Sequence, residues 1–471
     1  MSGIKPRSSG SSTSGQAKLD EVTSLMESLR TDAKENNLDP SQRSARLEQV
    51  KIHGRDPKNA DPIFTKEGIQ TLAQHGFDSS SLATSREALR CLANALLLQP
   101  QTRQIFVDLG YAKKAAERLK TDNRDDEFLV SRILFLLTYE TDLNFEGLVE
   151  QHQLADSINE NIARHAKRFP KGLQGASQPA PMDDMALSET LKLMFNITHF
   201  NPDLAGSFSP SLPFLLKILC QSEIPRPPLQ PPINYLINAL LNLDLDGTKS
   251  QILSTNPLFP ETDPKCNAEH IINILYKAIA QYPQSELDQV ITPLLTLIRR
   301  IYEIAPEDVQ HYTQSLLLPS DAERNKPLGK SDTLPSRLLN LSTSAPTPAL
   351  RGNISSLLFE LSGKDAATFV KNVGYGFASG FLMSNNIAVP ENAVEAEVGS
   401  GSADVPVNPV TGQRLDAEAP DAGPPMTEEE KEREAERLFV LFERLKKTGV
   451  IDVKNPVEQA RDEGRFEELD D

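Results

Sequence analysis

Residues 86–98 read REALRCLANALLL and residues 187–200 read LSETLKLMFNITHF, and both are apolar segments with polar residues one helical turn apart. This pattern predicts a buried helix that carries a polar stripe. Four further segments have the same pattern: Leu129–Tyr139, Ile233–Leu243, Ile291–Ile304 and Ala349–Leu361. The starts of the six segments lie 43, 58, 46, 58 and 58 residues apart, which is typical of armadillo or HEAT repeats. Because a helical solenoid generally serves as a binding surface, we expect a partner rather than a reaction.

The composition limits the classes of protein to which the chain can belong. Its 471 residues, 38% of them apolar, suffice for two or three ordinary domains or for one long solenoid. The net charge of −17 is concentrated in residues 384–471, which hold 22 acidic and 10 basic side chains. The rest of the chain is nearly balanced, so neither part has the basic face of a nucleic-acid-binding protein. The N-terminus lacks the apolar core of a signal peptide, and no apolar window spans a membrane, so we expect a cytoplasmic protein.

The chain divides into five expected regions. Residues 1–16 are rich in Ser and Gly and predict a disordered N-terminal tail, and residues 17–383 show helical periodicity. Residues 384–425 are rich in Ala, Gly, Pro and Glu and are interpreted as a flexible linker. Residues 426–447 predict an amphipathic helix, and residues 448–471 an acidic tail. The predicted fold is therefore an all-α, armadillo/HEAT-like solenoid followed by a flexible linker and a C-terminal amphipathic helix.

The C-terminal helix has clear signals of its own. Thr427 and Glu430 have the spacing of a capping box, and Lys446 and Lys447 are favourable near the negative end of the helix dipole. Its apolar face includes Leu438, Phe439, Phe442 and Leu445. Because an isolated helix of this length is marginally stable in water, the face has to pack against something. It could cap the protein's own solenoid or bind a partner.

Polar residues recur at one-turn spacing within the apolar helices. Arg90 and Asn94 are four residues apart, as are Lys192 and Asn196, and Asn234, Asn238 and Asn242 continue the pattern over three turns. Arg132 occupies a comparable helix. On the inner helices of a solenoid, such residues can hydrogen-bond a backbone or a carboxylate of a bound peptide. Alternatively, each asparagine satisfies a neighbouring helix terminus or loop carbonyl.

Motifs for catalysis and for cofactor binding are absent from the sequence. Gly374-Tyr-Gly376-Phe-Ala-Ser-Gly380 has the wrong spacing for a dinucleotide-binding loop and follows no strand, so close helix packing or a turn is expected there. The seven His and three Cys residues form no metal-ligand spacing. We therefore expect neither an enzyme nor a protein that requires a cofactor or a metal.

Several segments together resemble the synembryn family (resistance to inhibitors of cholinesterase). They are REALRCLANALLL, SRILFLLTY, LKLMFNITHF, VGYGFASGFL, VNPVTG and MTEEEKEREAERLFVLFERLKKTGVI. The resemblance covers roughly Leu82 to Glu458, and VNPVTG followed by the C-terminal helix is its most specific part.

The resemblance implies a non-receptor guanine-nucleotide exchange factor and folding chaperone for heterotrimeric G-protein α subunits, with no bond-making chemistry. In that family the armadillo groove takes the C-terminal helix of the α subunit, and the family member's own C-terminal helix packs near switch II. The resemblance also implies a monomeric cytoplasmic protein that its partner can bring to the plasma membrane. Carried onto this chain, the groove residues are Arg86, Arg90, Asn94, Arg132, Lys192, Asn196, Asn234 and Asn238, and the clamp residues are Leu438, Phe439, Phe442 and Leu445.

The alternative is an armadillo adaptor that binds an extended peptide in its groove. Such an adaptor would explain the asparagine pattern equally well, but it would not explain the C-terminal amphipathic helix.

Overall fold

The computed structural model describes residues 15–169, 180–246, 256–388, 407–408 and 410–418, and positions 427, 431, 433, 436, 437, 439 and 440. The chain forms two compact units, Met1–Gln413 and Arg414–Asp471. The described part of the first unit contains twenty α-helices and no β-strand. The helices are α1 (Gly15–Glu35), α2 (Pro40–His53), α3 (Asp61–Phe64), α4 (Lys66–Phe77), α5 (Leu82–Leu98), α6 (Gln101–Asp108), α7 (Tyr111–Arg118), α8 (Arg124–Leu136), α9 (Phe145–His152), α10 (Leu154–Ala166), α11 (Pro181–Phe200), α12 (Leu212–Gln221), α13 (Ile233–Leu241), α14 (Cys266–Gln281), α15 (Gln284–Ile304), α16 (Glu307–Leu317), α17 (Leu334–Ser342), α18 (Pro348–Leu361), α19 (Ala366–Val373) and α20 (Tyr375–Ser384).

Six helices form a central row in which each packs against the next: α5, α8, α11, α13, α15 and α18. They correspond to the six segments that share the sequence pattern, and α2 extends the row by packing against α5. A second layer lies behind the row, with α4 against α5, α10 against α11, α12 against α13, α14 against α15 and α17 against α18. The prediction of an all-α, armadillo-like repeat fold is confirmed.

The helix boundaries follow from capping residues and prolines. The α13 helix begins at Ile233, directly after Pro232, as the sequence predicts. The α8 helix begins five residues before the predicted Leu129, because Asn123 caps it by accepting hydrogen bonds from the amides of Asp125 and Asp126. An acidic first turn also suits the positive end of the helix dipole. A capping residue followed by an acidic turn therefore extends a helix beyond its apolar repeat.

A fully buried polar network joins three helices. The Glu127 carboxylate on α8 accepts hydrogen bonds from His165 Nε2 of α10 at 2.9 Å and from Thr190 Oγ1 of α11 at 3.0 Å. Its second oxygen lies 3.1 Å from Nη1 of Arg124, and Ser131 is hydrogen-bonded to Thr190. Glu127, His165, Thr190 and Ser131 are each 0% exposed. The network therefore links the central row to the layer behind it.

The charge states within this network differ from those of free side chains. Burial raises the pKa of Glu127, but the hydrogen bond from His165, with help from Arg124 and Thr190, holds that pKa below its usual range. Burial lowers the pKa of His165 despite its contact with Glu127. We therefore assign an ionised Glu127 and a neutral His165 that donates from Nε2. The Nδ1 atom of His165 has no hydrogen-bond partner among the described residues.

Part of the predicted linker belongs to the first unit and is hydrogen-bonded to other residues of that unit. The described residues 408 and 410–413, here called the strap, form a turn whose backbone is hydrogen-bonded to Leu328 and Gly376. The sequence predicts one flexible linker over residues 384–425, whereas the strap, which lies within that range, makes these contacts. The physical reason is that Asn, Pro and Gly are typical of both linkers and tight turns, so composition alone does not separate the two. Among the residues that the structure describes, every helix is too short or too polar to cross a membrane.

Candidate partner-binding surface

All eight predicted groove residues lie on the central row. Arg86, Arg90 and Asn94 lie on α5, Arg132 on α8, Lys192 and Asn196 on α11, and Asn234 and Asn238 on α13. Seven of them are partly exposed, whereas Asn196 is 5% exposed. The partly exposed side of the row is here called the row face. The structure therefore brings these residues together along one series of neighbouring helices.

A basic cleft of about 480 Å³ lies where α2, α5 and α8 meet on the row face. Its basic side chains are Lys51, Arg55, Arg90 and Arg132. Its apolar side chains include Leu97, Leu98 and Phe128, and Leu97 remains 44% exposed. None of its lining residues in the described part of the chain is acidic. The cleft therefore suits an anionic group that is attached to a bulky apolar one.

Ion pairs hold the arginines at the cleft in place. Arg90 Nη1 lies 2.7 Å from Glu87 Oε1, and its Nη2 lies 3.4 Å from Asp125 Oδ1. Lys51 of α2 also contacts Glu87, at 2.7 Å. Arg86 donates to Asp126 on α8 at 2.9 Å, so it joins α5 to α8. Each carboxylate that contacts Arg90 thus has a second cation nearby. Lys51 contacts Glu87, and Arg86 Nη1 lies 3.9 Å from Asp125 Oδ2.

A second group of charged residues lies farther along the row face. Arg132 and Lys192 share one oxygen of Glu189, at 3.0 and 2.6 Å. The Lys192 ammonium also lies 4.8 Å from the ring centroid of Phe135 and 5.7 Å from that of Tyr235. Glu189 is 4% exposed, and its Oε2 has no hydrogen-bond partner among the described residues. The arrangement connects α8, α11 and α13 through one carboxylate and one ammonium group.

Aromatic residues that the sequence reasoning missed extend this surface. Phe135 of α8 and Tyr139, which follows that helix, pack edge to face, and Tyr139 packs edge to face on Phe200 of α11. Phe195 stacks on His199 at 5.5 Å between ring centroids. Tyr139 is 37% and Phe200 54% exposed. Their signal was present in the sequence, because Phe135 and Phe195 each lie three residues after Arg132 and Lys192, on the same helix face.

The asparagines divide into two groups. Asn196 donates to Thr138 Oγ1, in the turn that follows α8, at 2.7 Å, and Asn242 donates to the Phe195 carbonyl at 3.1 Å. These two asparagines satisfy neighbouring helix residues, which is the second of the two interpretations that the sequence left open. Asn234 accepts a hydrogen bond from the Tyr235 amide. The side chain of Asn238 is partly exposed and has no hydrogen-bond partner among the described residues.

The predicted clamp helix lies in the second unit. The described positions between 431 and 440 are helical and exposed. Phe439 is 40% exposed. The other predicted clamp residues, Leu438, Phe442 and Leu445, lie outside the described residues.

Comparison with known proteins assigns this chain to a family. The family described as guanine nucleotide exchange factor synembryn matches residues 46–465. The chain belongs to the synembryn family. Among its relatives is the chaperone Ric-8A of Macaca fascicularis, which is 26% identical over 454 residues that cover 88% of this chain and 83% of the relative. The chaperone Ric-8A of Danio rerio is 25% identical over 464 residues, with the same coverage of both chains. The synembryn resemblance noted in the sequence is thus confirmed.

Proposed function

We propose that this synembryn-family chain is a non-receptor guanine-nucleotide exchange factor and folding chaperone for heterotrimeric G-protein α subunits. It binds the GDP-bound or nascent α subunit, promotes GDP release and stabilises the nucleotide-free state until GTP binds. The observation that carries this proposal is the family match over residues 46–465. The chain performs no bond-making chemistry, acts as a monomer in the cytoplasm, and can be brought to the plasma membrane by its partner.

The row face supports binding of the α subunit's C-terminal helix. A terminal helix presents apolar side chains on one side and ends in a carboxylate, and both features have counterparts on this surface. Arg90 and Arg132 of the basic cleft provide donors for the carboxylate. Leu97, Phe128 and the exposed Tyr139 provide apolar contacts. The helix would thus lie along α5, α8 and α11.

The exchange reaction follows from differential binding. A nanomolar affinity for GDP corresponds to about 12 kcal/mol, so a partner expels the nucleotide by binding the emptied α subunit far more tightly than the GDP-bound one. That difference calls for an interface on the order of 2,000 Å². Removing the C-terminal helix of the α subunit from its own domain would loosen the elements around the guanine ring. A second contact, from the clamp helix to the switch II region, adds area and avidity.

The decisive experiment measures GDP release from a purified α subunit with and without the full chain. We expect faster release and a nucleotide-free complex that dissociates when GTP is added. An armadillo adaptor would bind the C-terminal peptide without accelerating release. Stoichiometric nucleotide in the purified chain alone would also contradict the proposal, because no phosphate-binding loop is present in the sequence.

A first prediction concerns the basic cleft. Wild-type chain should bind a free-acid C-terminal peptide of the α subunit about tenfold more tightly than the same peptide with an amidated end, since hydrogen bonds to charged groups contribute about 1.5–3 kcal/mol. Arg90→Ala should reduce this preference severalfold, as measured by titration calorimetry with both peptides. The fold should tolerate the loss of Arg90, because Lys51 still pairs with Glu87 and Arg86 still lies close to Asp125.

Two variants serve as controls for that prediction. Arg337→Ala removes an arginine from α17, which packs behind the row, and should leave both peptide affinities unchanged. Asn196→Ala removes the hydrogen bond to Thr138 and should lower stability by about 1–3 kcal/mol. Equal loss of affinity for the free and the amidated peptide in Arg90→Ala would show that the cleft does not bind the carboxylate.

A further inference from the structure

The strap has a conformation that its own sequence enforces. The Asn408 side-chain oxygen accepts hydrogen bonds from the amides of Val410 at 2.9 Å and of Thr411 at 3.2 Å. The amide of Asn408 donates to the carbonyl of Gln413 at 2.7 Å, and the amide of Gly412 donates to the carbonyl of Asn408 at 2.8 Å. Gly412 has a φ of 67°, a conformation that favours glycine. The strap is therefore a closed turn.

Three groups of the solenoid bind the strap backbone. The amide of Gly376 donates to the Val410 carbonyl at 3.2 Å, and the amide of Leu328 donates to the Thr411 carbonyl at 3.1 Å. The guanidinium of Arg324, whose residue is 8% exposed, donates to the Gly412 carbonyl at 3.1 Å and to the Asn372 carbonyl at 2.8 Å. Loss of the strap would leave donors of a buried guanidinium without an acceptor, which is costly.

The glycine motif after α19 provides the space for the strap. A Cβ atom on Gly374 would lie 3.2 Å from both the Gly412 nitrogen and the Val410 oxygen, and one on Gly376 would lie 3.2 Å from the Val410 oxygen. A Cβ atom on Gly380, in the same α20 helix, would meet nothing within 4 Å. The close packing expected for this motif is thus packing against the strap, and Gly380 offers a matched comparison.

We infer that the strap is a fixed anchor that sets the starting point of the C-terminal segment. Residues before the strap then have no influence on where the clamp helix can reach. The stretch that remains between the strap and the predicted helix, here called the tether, runs from Arg414 to Pro425, about 12 residues of which Leu415–Ala417 form a 3-10 turn, instead of the roughly 40 residues that separate α20 from the predicted helix. This inference rests on the proposed function, because the tether length affects affinity only if the clamp helix binds the α subunit.

Tether length has a measurable effect on affinity. Beyond its optimal length, a flexible tether lowers the effective concentration of its attached group roughly as the −3/2 power of the length. Releasing the strap would lengthen the tether from about 12 to about 40 residues, and would therefore lower the effective concentration of the clamp helix about sixfold. Adding 12 residues to the tether would lower it by about threefold, whereas adding them before the strap would change nothing.

The test uses two insertions of the same 12-residue Gly/Ser sequence in the full chain. One insertion follows Ser400, before the strap, and the other follows Pro420, after it. We expect the insertion after Pro420 to lower affinity for a full α subunit about threefold, and the insertion after Ser400 to leave it unchanged. Equal effects of the two insertions would overturn the inference, and so would an absence of any effect from either.

A pair of glycine substitutions tests the anchor itself. Gly376→Val should release the strap, lower affinity about sixfold and make the chain sensitive to the insertion after Ser400. Gly380→Val places the same side chain in the same helix without meeting the strap and should behave as wild type in affinity. Unchanged affinity and continued insensitivity to the insertion in Gly376→Val would contradict the inference.

Hydrogen exchange separates failure of the anchor from failure of the proposed function. The amides of Leu328 and Gly376 should be protected in the full chain and in a chain that ends at Gln413, because both chains retain the strap. A chain that ends before Val407 should lose this protection. If the two amides exchange equally fast in all three chains, the anchor does not exist. If protection follows the strap while the α subunit's GDP release is unaffected by the chain, the proposed function fails instead.

Discussion

Truncation after Gln413 should lower affinity for a full α subunit by about 100-fold and reduce nucleotide exchange to a similar extent. The truncated chain should keep its affinity for the α subunit's C-terminal peptide, because the row face lies entirely within the first unit. The expected loss is that of a second, tethered contact, which typically contributes a factor of 10² or more. Fluorescence-monitored GDP release and peptide titration on the same preparation measure the two properties separately.

The position of the cut is important for this experiment. Truncation at Ser384 would also remove the strap, whose Gly412 carbonyl is an acceptor for the buried Arg324. A loss of activity could then reflect unfolding of α19 and α20. A cut after Gln413 leaves those contacts intact, and the melting temperature should stay within a few degrees of the full chain.

A double substitution in the full chain provides the matched comparison. Phe439→Ala with Phe442→Ala should reproduce most of the loss, since both residues belong to the apolar face that the sequence predicts. Full exchange by the truncated chain would show that the helix is no clamp. Aggregation of the truncated chain would show that the helix caps the solenoid.

Glu127→Ala should destabilise the first unit by about 2–5 kcal/mol, because a buried donor left without its acceptor costs about 1–3 kcal/mol and this change removes the acceptor of two. Glu127 is 0% exposed, and its removal leaves His165 and Thr190 without their shared acceptor. Urea denaturation followed by circular dichroism measures the change. Asp125→Ala, two residues earlier and partly exposed, should cost less than about 1 kcal/mol. Similar losses in the two variants would contradict a special role for the buried network.

The same network gives stability a defined pH dependence. Burial holds the pKa of His165 below its usual value of about 6.5 in the folded protein, so the unfolded chain binds this proton first as the pH falls. Stability should therefore decrease below about pH 6.5, by at most about 1.4 kcal/mol per pH unit for one proton. Glu127, whose pKa is also held down, adds a further loss at lower pH. His165→Asn should flatten the curve between pH 7 and pH 5, whereas an unchanged slope would argue against this assignment.

The sequence predicted the order of the central row better than it predicted the surface of that row. Apolar periodicity located all six helices because burial against a neighbouring layer imposes it. Periodicity could not distinguish Asn196 from Asn238, because each lies four residues after another polar residue of its helix. The difference between them arises from Thr138, a residue 58 positions away in sequence that only packing brings within 2.7 Å. A pattern along one helix contains no information about the donors and acceptors of the next.

The exposed aromatic residues were missed for a related reason. Phe135 and Phe195 share a helix face with Arg132 and Lys192, but their spacing is equally usual for core residues, so it did not separate a partly exposed ring from a buried one. The strap was missed because the sequence VNPVTG has the composition of a linker. The strap packs into space left by Gly374 and Gly376. The sequence showed that the spacing of these glycines does not suit nucleotide binding, but it did not show what fills that space.

Ion pairs connect successive helices of the row and make neighbouring repeats of this chain interdependent. Arg86 of α5 pairs with Asp126 of α8, Arg132 of α8 pairs with Glu189 of α11, and Arg299 of α15 pairs with Glu360 of α18. Each pair places its two members in different repeats, so a substitution in one repeat leaves a charge uncompensated in the next. Exchanging one repeat of this chain for another would therefore also require exchanging the residue that pairs with it across the junction.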